Sequence, residues 1–279
     1  MSSARDVDLV RFRGRDQATE TDEVAHEEPL EVQVNGASVA VLMRTPGDDE
    51  ELVRGFLMTE RIVATLAEVD SLHHCTRVPH PEAEDNIMQV RLKRGLVVDL
   101  ERLRRHCYAS SSCGVCGKAT IDNALAMAAP LADRAVVDVA TLYGLPAKLM
   151  ASQHGFTRTG GLHAAGLFTI DGTLLALRED VGRHNAVDKA VGWLAAQPIS
   201  AEETCLMVSG RVSYELVQKA VAARIPLLAG VSAPTSLAVR AAQAHRLTVV
   251  GFLRGETMNV YATPERVQSV GSSAGSGAP

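Results

Sequence analysis

The chain has 279 residues, of which 46% are hydrophobic, 22% charged and 4% aromatic, and its formal net charge is −5. That length supports a real core in one large domain or two smaller ones. A net negative chain with few aromatics argues against a general nucleic-acid surface and against a single-strand stacking platform. No stretch is long and apolar enough to span a bilayer.

The opening "MSSARDVDLVRFRGRDQATETDE" lacks the apolar run and small-residue cleavage site of a signal peptide, so a cytoplasmic location is expected. Residues 1–28 are polar and charge-rich and are expected to be a flexible segment, frayed or lightly docked. "PLEVQVNGASVAVLMRTP" alternates on both sides of Asn35-Gly36, the mark of a hairpin. "GDDEELVRGFLMTERIV" opens acidic and spaces Leu52, Phe56 and Leu57 like one helix face. "NIMQVRLKR" reads as a strand and "GLVVDLERLRRHCY" as the start of another, which makes 29–105 a small α+β lobe.

A second and larger α/β domain is expected over 106–268. "KATIDNALAMAAPLA", "DVATLYGLPAKLMASQHG" and "RHNAVDKAVGWLAAQ" read as helices, and "GLHAAGLFTIDGTLLALRED" as a hairpin turning at Asp171-Gly172. The last third alternates strand and helix as "TCLMVSG", "SYELVQKAVAAR", "PLLAGV", "SLAVRAAQAH" and "LTVVGFLRG". Ligands of such sheets sit beyond the carboxyl ends of the strands. Those ends here are "SGRVS", "GVSAPTS" and "GFLRGET", rich in glycine and hydroxyls. The tail 269–279, "VGSSAGSGAP" and the residue before it, is low-complexity and expected to be disordered.

Chemistry concentrates in a few stretches. "SSSCGVCGKATID" sets Cys113 and Cys116 three apart among glycines, a spacing open to metal binding, a disulfide or sulfur carriage. Cys75, Cys107 and Cys205 do not supply the second pair of a four-thiolate zinc site. His163 in "TGGLHAAG" is a possible third ligand, but Ala165 stands where a zinc deaminase would carry its proton-shuttling glutamate. "REDVGRHNAVDKAVG" crowds Arg183 and His184 among Asp180, Asn185, Asp188 and Lys189 at a strand-to-helix junction, some of them caps and turn formers. In "SGRVSYELVQKA", Ser209, Gly210 and Arg211 precede a helix, where free backbone N–H groups and a guanidinium attract phosphate. Three such loops on one rim imply a large phosphate-bearing ligand.

Together, "EEPLEVQVNG", "RTPGDDEELVRGFLMTE", "SSCGVCGK", "TGGLHAAGLF", "REDVGRHNAVDKAVG", "SGRVSYELVQKA", "GVSAPTSLAV" and "GFLRGETMNVY" resemble the FdhD family of formate dehydrogenase accessory sulfurtransferases, from about Glu27 to Arg266. The resemblance implies a homodimer whose main domain is a cytidine-deaminase-like three-layer α/β/α fold. It implies transfer of persulfide sulfur from a cysteine desulfurase to the molybdenum cofactor in its bis(molybdopterin guanine dinucleotide) form. That cofactor is a bound substrate passed on to formate dehydrogenase, and no permanent cofactor is expected. By the same resemblance Cys113 carries the persulfide with Cys116 as its partner. The cofactor-binding run falls on Phe252, Leu253, Arg254, Gly255, Glu256 and Thr257, where the acidic Glu256 is a departure. Two rivals stand beside this reading: a zinc-dependent deaminase-like hydrolase using Cys113, Cys116 and His163, and a cofactor chaperone without thiol chemistry.

Overall fold

Val7, Leu9, Val10 and Phe12 are interspersed with charged residues before a Gly14 turn, and Thr19, Thr21 and Val24 follow it, β-prone residues suited to paired strands. The computed structural model, which describes residues 3–76, 85–96, 127–132 and 135–269, accordingly pairs β1 (Ala4–Arg13) with β2 (Asp16–Ala25) as an antiparallel ribbon. This differs from the frayed segment expected from composition. Its charges are laid out crosswise, with Arg11 and Arg13 reaching Glu20 at 3.0 and 3.3 Å, so polarity does not oppose pairing.

β3 (Glu28–Val34) and β4 (Ala37–Arg44) form the expected hairpin, with Asn35 and Gly36 both at positive φ in its turn. Helix α1 (Asp49–Thr59), β5 (Val69–His74) and β6 (Ile87–Leu92) complete a four-stranded sheet of order β4-β3-β6-β5. Leu52, Phe56 and Leu57 of α1 are buried against Leu30, Val32 and Met88 of that sheet. At the start of α1, the fully buried Arg44 forks onto Asp49 at 3.0 and 2.9 Å.

The short strand β7 (Val137–Asp138) leads into α2 (Val139–Ala151) and α3 (His154–Thr159). β8 (His163–Thr169) and β9 (Leu174–Asp180) form the second expected hairpin and run into α4 (Arg183–Ala195). Then come β10 (Thr204–Val208), α5 (Tyr214–Ala222), β11 (Leu227–Gly230), α6 (Ser236–Ala244), β12 (Thr248–Arg254), β13 (Thr257–Ala262) and β14 (Val267–Gln268). The six-stranded sheet has the order β13-β12-β11-β10-β8-β9, parallel only across β10, β11 and β12. Strand alternation divides its side chains. Cys205 and Met207 meet Leu142, Leu145 and Leu149 of α2, whereas Leu206 and Val208 meet α4, α5 and α6. The fold is therefore α/β, with helices on both faces of a mixed sheet. No helix among the described residues is long and apolar enough to cross a membrane. The helix expected over 118–132 falls mostly outside the described residues, and its last residues, 127–132, are irregular. Most of the strand expected in "GLVVDLERLRRHCY", from residue 97 on, and the tail from residue 270 on also lie outside them.

The two sheets are joined where α1 crosses α4. A Cβ on Gly55 would lie 1.8 Å from the Asp188 carbonyl oxygen, and one on Gly192 would lie 1.8 Å from that of Glu51. Backbones meet there because neither position carries a side chain. Two buried ion pairs flank the crossing. Lys189 Nζ lies 2.9 Å from Asp180 and donates to the Thr45 carbonyl at 2.8 Å. Lys219 Nζ donates to Asp188 at 2.8 and 2.9 Å and to Thr59 Oγ1 at 2.9 Å, while Thr59 Oγ1 donates to Asp188 at 2.7 Å.

Gly→Ala within a helix ordinarily stabilises by about 0.5–1 kcal/mol. Gly192→Ala is expected to do the opposite, with a loss of at least the roughly 1–3 kcal/mol of overpacking. Lys189→Met, which leaves Asp180 charged and buried, is expected to lose about 3–5 kcal/mol. Urea unfolding of each variant checks both signs.

Candidate functional site

The parallel strands β10, β11 and β12 end at one rim, followed by loops 209–213, 231–235 and 255–256. Strand β8 runs antiparallel to β10, so its first residue, His163, lies at the same rim, paired across the hairpin with Asp180 at the end of β9. A Cβ on Gly210 would sit 3.6 Å from His163 Nδ1. Two turn residues later the chain enters α4 at Arg183 and His184. The tertiary fold thus gathers stretches read separately along the sequence.

A cleft of about 280 Å³ opens at this rim, lined by Arg183 from α4, Arg211 and Ser213 from the first loop, Glu215 of α5, and Thr235 and Leu237 at the start of α6. Thr235 caps α6 by accepting from the Ala238 N–H at 3.3 Å. Ser213 stands at the equivalent position of α5, yet its hydroxyl makes no capping bond, and Oγ is buried without a partner. The cleft therefore combines two guanidiniums, an uncapped helix start and an orphaned hydroxyl. That set is suited to an anion, with the Glu215 carboxylate beside it.

His184 also has a buried ring nitrogen, Nε2, without a partner. Burial, reinforced by the charges of Lys219 and Arg183, brings its pKa down to about 4, so the ring is neutral at pH 7. His163 is shifted in the same direction, by burial first and Arg183 second, with Asp180 opposing. Beneath them, burial pushes Asp188 up to about 6 against the pull of Lys219. Burial also works against the Lys219 charge, but Asp188 and Glu60 outweigh it and raise that pKa. The pair is ionised at neutral pH.

The dense polar motif at 178–189 divides by task. Asp180 accepts from the Thr45 and Gly182 N–H groups at 3.0 and 2.8 Å and from Asn185 Nδ2 at 3.0 Å. Asn185 also donates to the Met43 carbonyl at 2.7 Å. Glu179 accepts from the Gly155 and Phe156 N–H groups at the start of α3. These residues join chain segments, while Arg183 faces the cleft. Ser209 belongs with the structural group: its Oγ accepts from the Ala164 N–H at 2.9 Å, extending the β8–β10 pairing.

The run at 252–257 is split as well. Leu253 is fully buried in the core beneath α2, so its side chain is off the rim and only its backbone is placed there. Phe252 is 40% exposed at φ 53, an unusual conformation for an aromatic residue, and its N–H donates to the Ser232 carbonyl at 3.1 Å. Arg254 Nε donates to the Val231 carbonyl at 2.8 Å, and Thr257 Oγ1 to the Arg254 carbonyl at 2.9 Å. Gly255, at φ 52, and the exposed Glu256 form the hairpin tip. Cys113 and Cys116 lie outside the described residues. Cys205 is buried, its thiol pushed up to about 12, and is unreactive at neutral pH. Tyr214, Glu215 and Leu237 of the cleft region were not singled out from sequence. They follow Ser and Thr helix starts, and a helix pattern alone does not separate a core position from a cleft wall.

The chain is thus an α/β protein with cationic, hydroxyl-bearing loops at the carboxyl edge of its sheet, the edge where ligands of open α/β sheets sit. The profile of the FdhD/NarQ family matches residues 25–268. The chain is 48% identical over 266 residues to a sulfur carrier protein FdhD of Nocardia farcinica, covering 94% of each. It is 47% identical to the protein of that name in Streptomyces coelicolor, over 93% of this chain and 94% of that one. A solved structure provisionally described as a formate dehydrogenase accessory protein from Desulfotalea psychrophila shares the fold, with a TM-score of 0.76, 24% identity and coverage of 96% of this chain and all of that one. The chain belongs to the FdhD/NarQ family.

The neutrality of His184 has a measurable consequence. Its folded pKa, about 4, lies below the ordinary 6.5, so the unfolded chain binds the proton more readily. Its contribution to stability is complete above pH 6.5 and is lost as pH falls towards 4. The loss should reach about 3 kcal/mol. Asp188 titrates in the same window with the opposite sign, so the comparison is between wild type and His184→Gln. Urea unfolding across that pH range should show a shallower acid loss in the variant.

Proposed function

We propose that this protein carries sulfur for the maturation of formate dehydrogenase. Cys113 takes sulfur from a cysteine desulfurase and delivers it to the molybdenum cofactor in its bis(molybdopterin guanine dinucleotide) form, which is bound as substrate. The observation that carries the reading is one chain combining the Cys113/Cys116 pair with an arginine-lined cleft, in a family whose curated relatives are named sulfur carriers. The site of action is the cytoplasm, where thiols stay reduced.

The Cys113 thiolate attacks the outer sulfur of the donor persulfide; a new S–S bond forms on Cys113 and the donor cysteine leaves as thiolate. Release reverses the polarity. The Cys116 thiolate attacks the inner sulfur, the outer sulfur departs as sulfide towards the cofactor, and a Cys113–Cys116 disulfide remains for a dithiol reductant to reopen. The cleft suits the other half of the reaction. Arg183 and Arg211 neutralise pyrophosphate charge, and the Ser213 hydroxyl supplies a directed hydrogen bond. Glu215, which would repel a bare phosphate, accepts well from the N–H edge of a guanine base.

Intact mass after incubation with a desulfurase and cysteine should rise by about 32 Da per sulfur, reversibly with a reductant, and stay constant in Cys113→Ala. Cys113→Ala that still activates formate dehydrogenase fully would favour a chaperone without thiol chemistry. Cys116→Ala should load sulfur normally but release it slowly. Arg183→Ala/Arg211→Ala should weaken binding of guanosine diphosphate by about tenfold or more and flatten its salt dependence, measured by calorimetry.

A further inference from the structure

The loop between β4 and α1 is held from within its own lobe. Arg44 closes it by forking onto Asp49, and Arg44 Nη2 also donates to Asn86 Oδ1 at 3.0 Å. Inside that loop Thr45 is 2% exposed, and all three of its polar groups are engaged across the lobe junction. Its N–H donates to Asp180 Oδ2 at 3.0 Å, and its carbonyl accepts from Lys189 Nζ at 2.8 Å. Its Oγ1 accepts from the Val181 N–H at 3.1 Å. The hydroxyl bond differs in kind from the other two. Those meet buried charges and hold the lobes together, whereas the hydroxyl takes an amide of the two-residue turn between β9 and α4.

The second residue of that turn, Gly182, stands at the start of α4 with no side chain to cap the helix, and its N–H donates to Asp180 Oδ1 at 2.8 Å. The bonds from Val181 to Thr45 and from Gly182 to Asp180 orient the turn. Arg183 is the next residue, and it lines the cleft with Arg211, which reaches the same space from another loop. An anion held by both guanidiniums needs their separation fixed, and a small error in the first turn of α4 displaces one against the other. We infer that Thr45 is a positioning residue of the cleft. Through its hydroxyl the N-terminal lobe sets the direction of the turn at 181–182, and so the place of Arg183 against the phosphates of the ligand. The inference rests on the reading of the cleft as a site for a phosphate-bearing ligand. It makes the lobe a working part of that site, although none of its described residues lines the cleft.

A double-mutant cycle on the full chain tests it, with guanosine diphosphate as the probe and calorimetry as the readout. Thr45→Val keeps the shape and both backbone bonds of the residue and removes only the acceptor. It should weaken binding by about fivefold or more. Thr45→Ser, which keeps the acceptor, should bind as the wild type does. In an Arg183→Ala background Thr45→Val should have no further effect, because the group it positions is gone. In an Arg211→Ala background its effect should persist. Unchanged affinity in a Thr45→Val protein that is merely less stable to urea, a Thr45→Ser protein as weak as Thr45→Val, or equal losses in both backgrounds would each overturn the proposal. Arg183→Ala that binds like the wild type would overturn the reading of the cleft itself, and this proposal with it. The wild type supplies a test that needs no folded variant. By reciprocity, saturating guanosine diphosphate should slow hydrogen exchange of the Val181 amide about fivefold or more, and unchanged exchange would count against Thr45 as decisively.

Discussion

The contact on which the molecule turns is the glycine-to-backbone crossing of α1 and α4. Gly55 and Gly192 each face a carbonyl of the other helix at a distance no Cβ could occupy. That approach brings the N-terminal lobe close enough for its backbone to serve as a hydrogen-bonding partner of the main domain. The Thr45 N–H and carbonyl then satisfy Asp180 and Lys189, and Thr59 joins the Asp188–Lys219 pair. Buried charges of this kind are tolerable only when every donor and acceptor is met, and here the partners come from both lobes. The crossing and the ion pairs therefore depend on each other.

The same segment also shapes the site. Asp180 receives N–H groups from the turn that opens α4, and Arg183 follows directly at the cleft. Anchoring the turn anchors the arginine. Electrostatics near the cleft are consistent with that arrangement. With Lys219 and Arg183 close by, His184 stays neutral, which leaves its unpartnered nitrogen able either to donate or to accept. Positive charge lining the cleft is thus carried by the arginines, with the Glu215 carboxylate beside them. A ligand with separate anionic and hydrogen-bonding parts suits such a site better than a simple anion.

Local pattern determined much of this molecule. Alternation around Asn35-Gly36 and Asp171-Gly172 specified two hairpins, and the 3.6-residue spacing of Leu52, Phe56 and Leu57 specified α1 and its buried face. The strand–helix alternation of the last third specified the parallel core of the sheet, and with it the rim. These features are legible because neighbouring residues alone set backbone preference and the apolar face. The ribbon at 4–25 shows where composition misleads: charged residues suggested a frayed or lightly docked segment, but placed crosswise on two strands they pair.

Tertiary structure alone decided which polar residues hold the fold and which line the cleft. Asp180, Asn185 and Lys189 look like site residues beside Arg183, but their partners are Met43 and Thr45, more than 130 positions away in the chain. Ser209 and Leu253 share their stretches with rim residues, yet the hydroxyl of one also extends the β8–β10 pairing and the side chain of the other packs in the core under α2. Conversely, Arg183 and Arg211, from separate motifs, form one cleft because β8 runs antiparallel to β10 and returns the chain to the same edge. Burial and hydrogen-bond satisfaction are properties of distant segments in contact. Sequence alone determined the local elements and the candidate residues they carry; contacts between distant segments, the packing of α1 on α4 among them, determined which of the described ones are buried in ion pairs and which line the cleft.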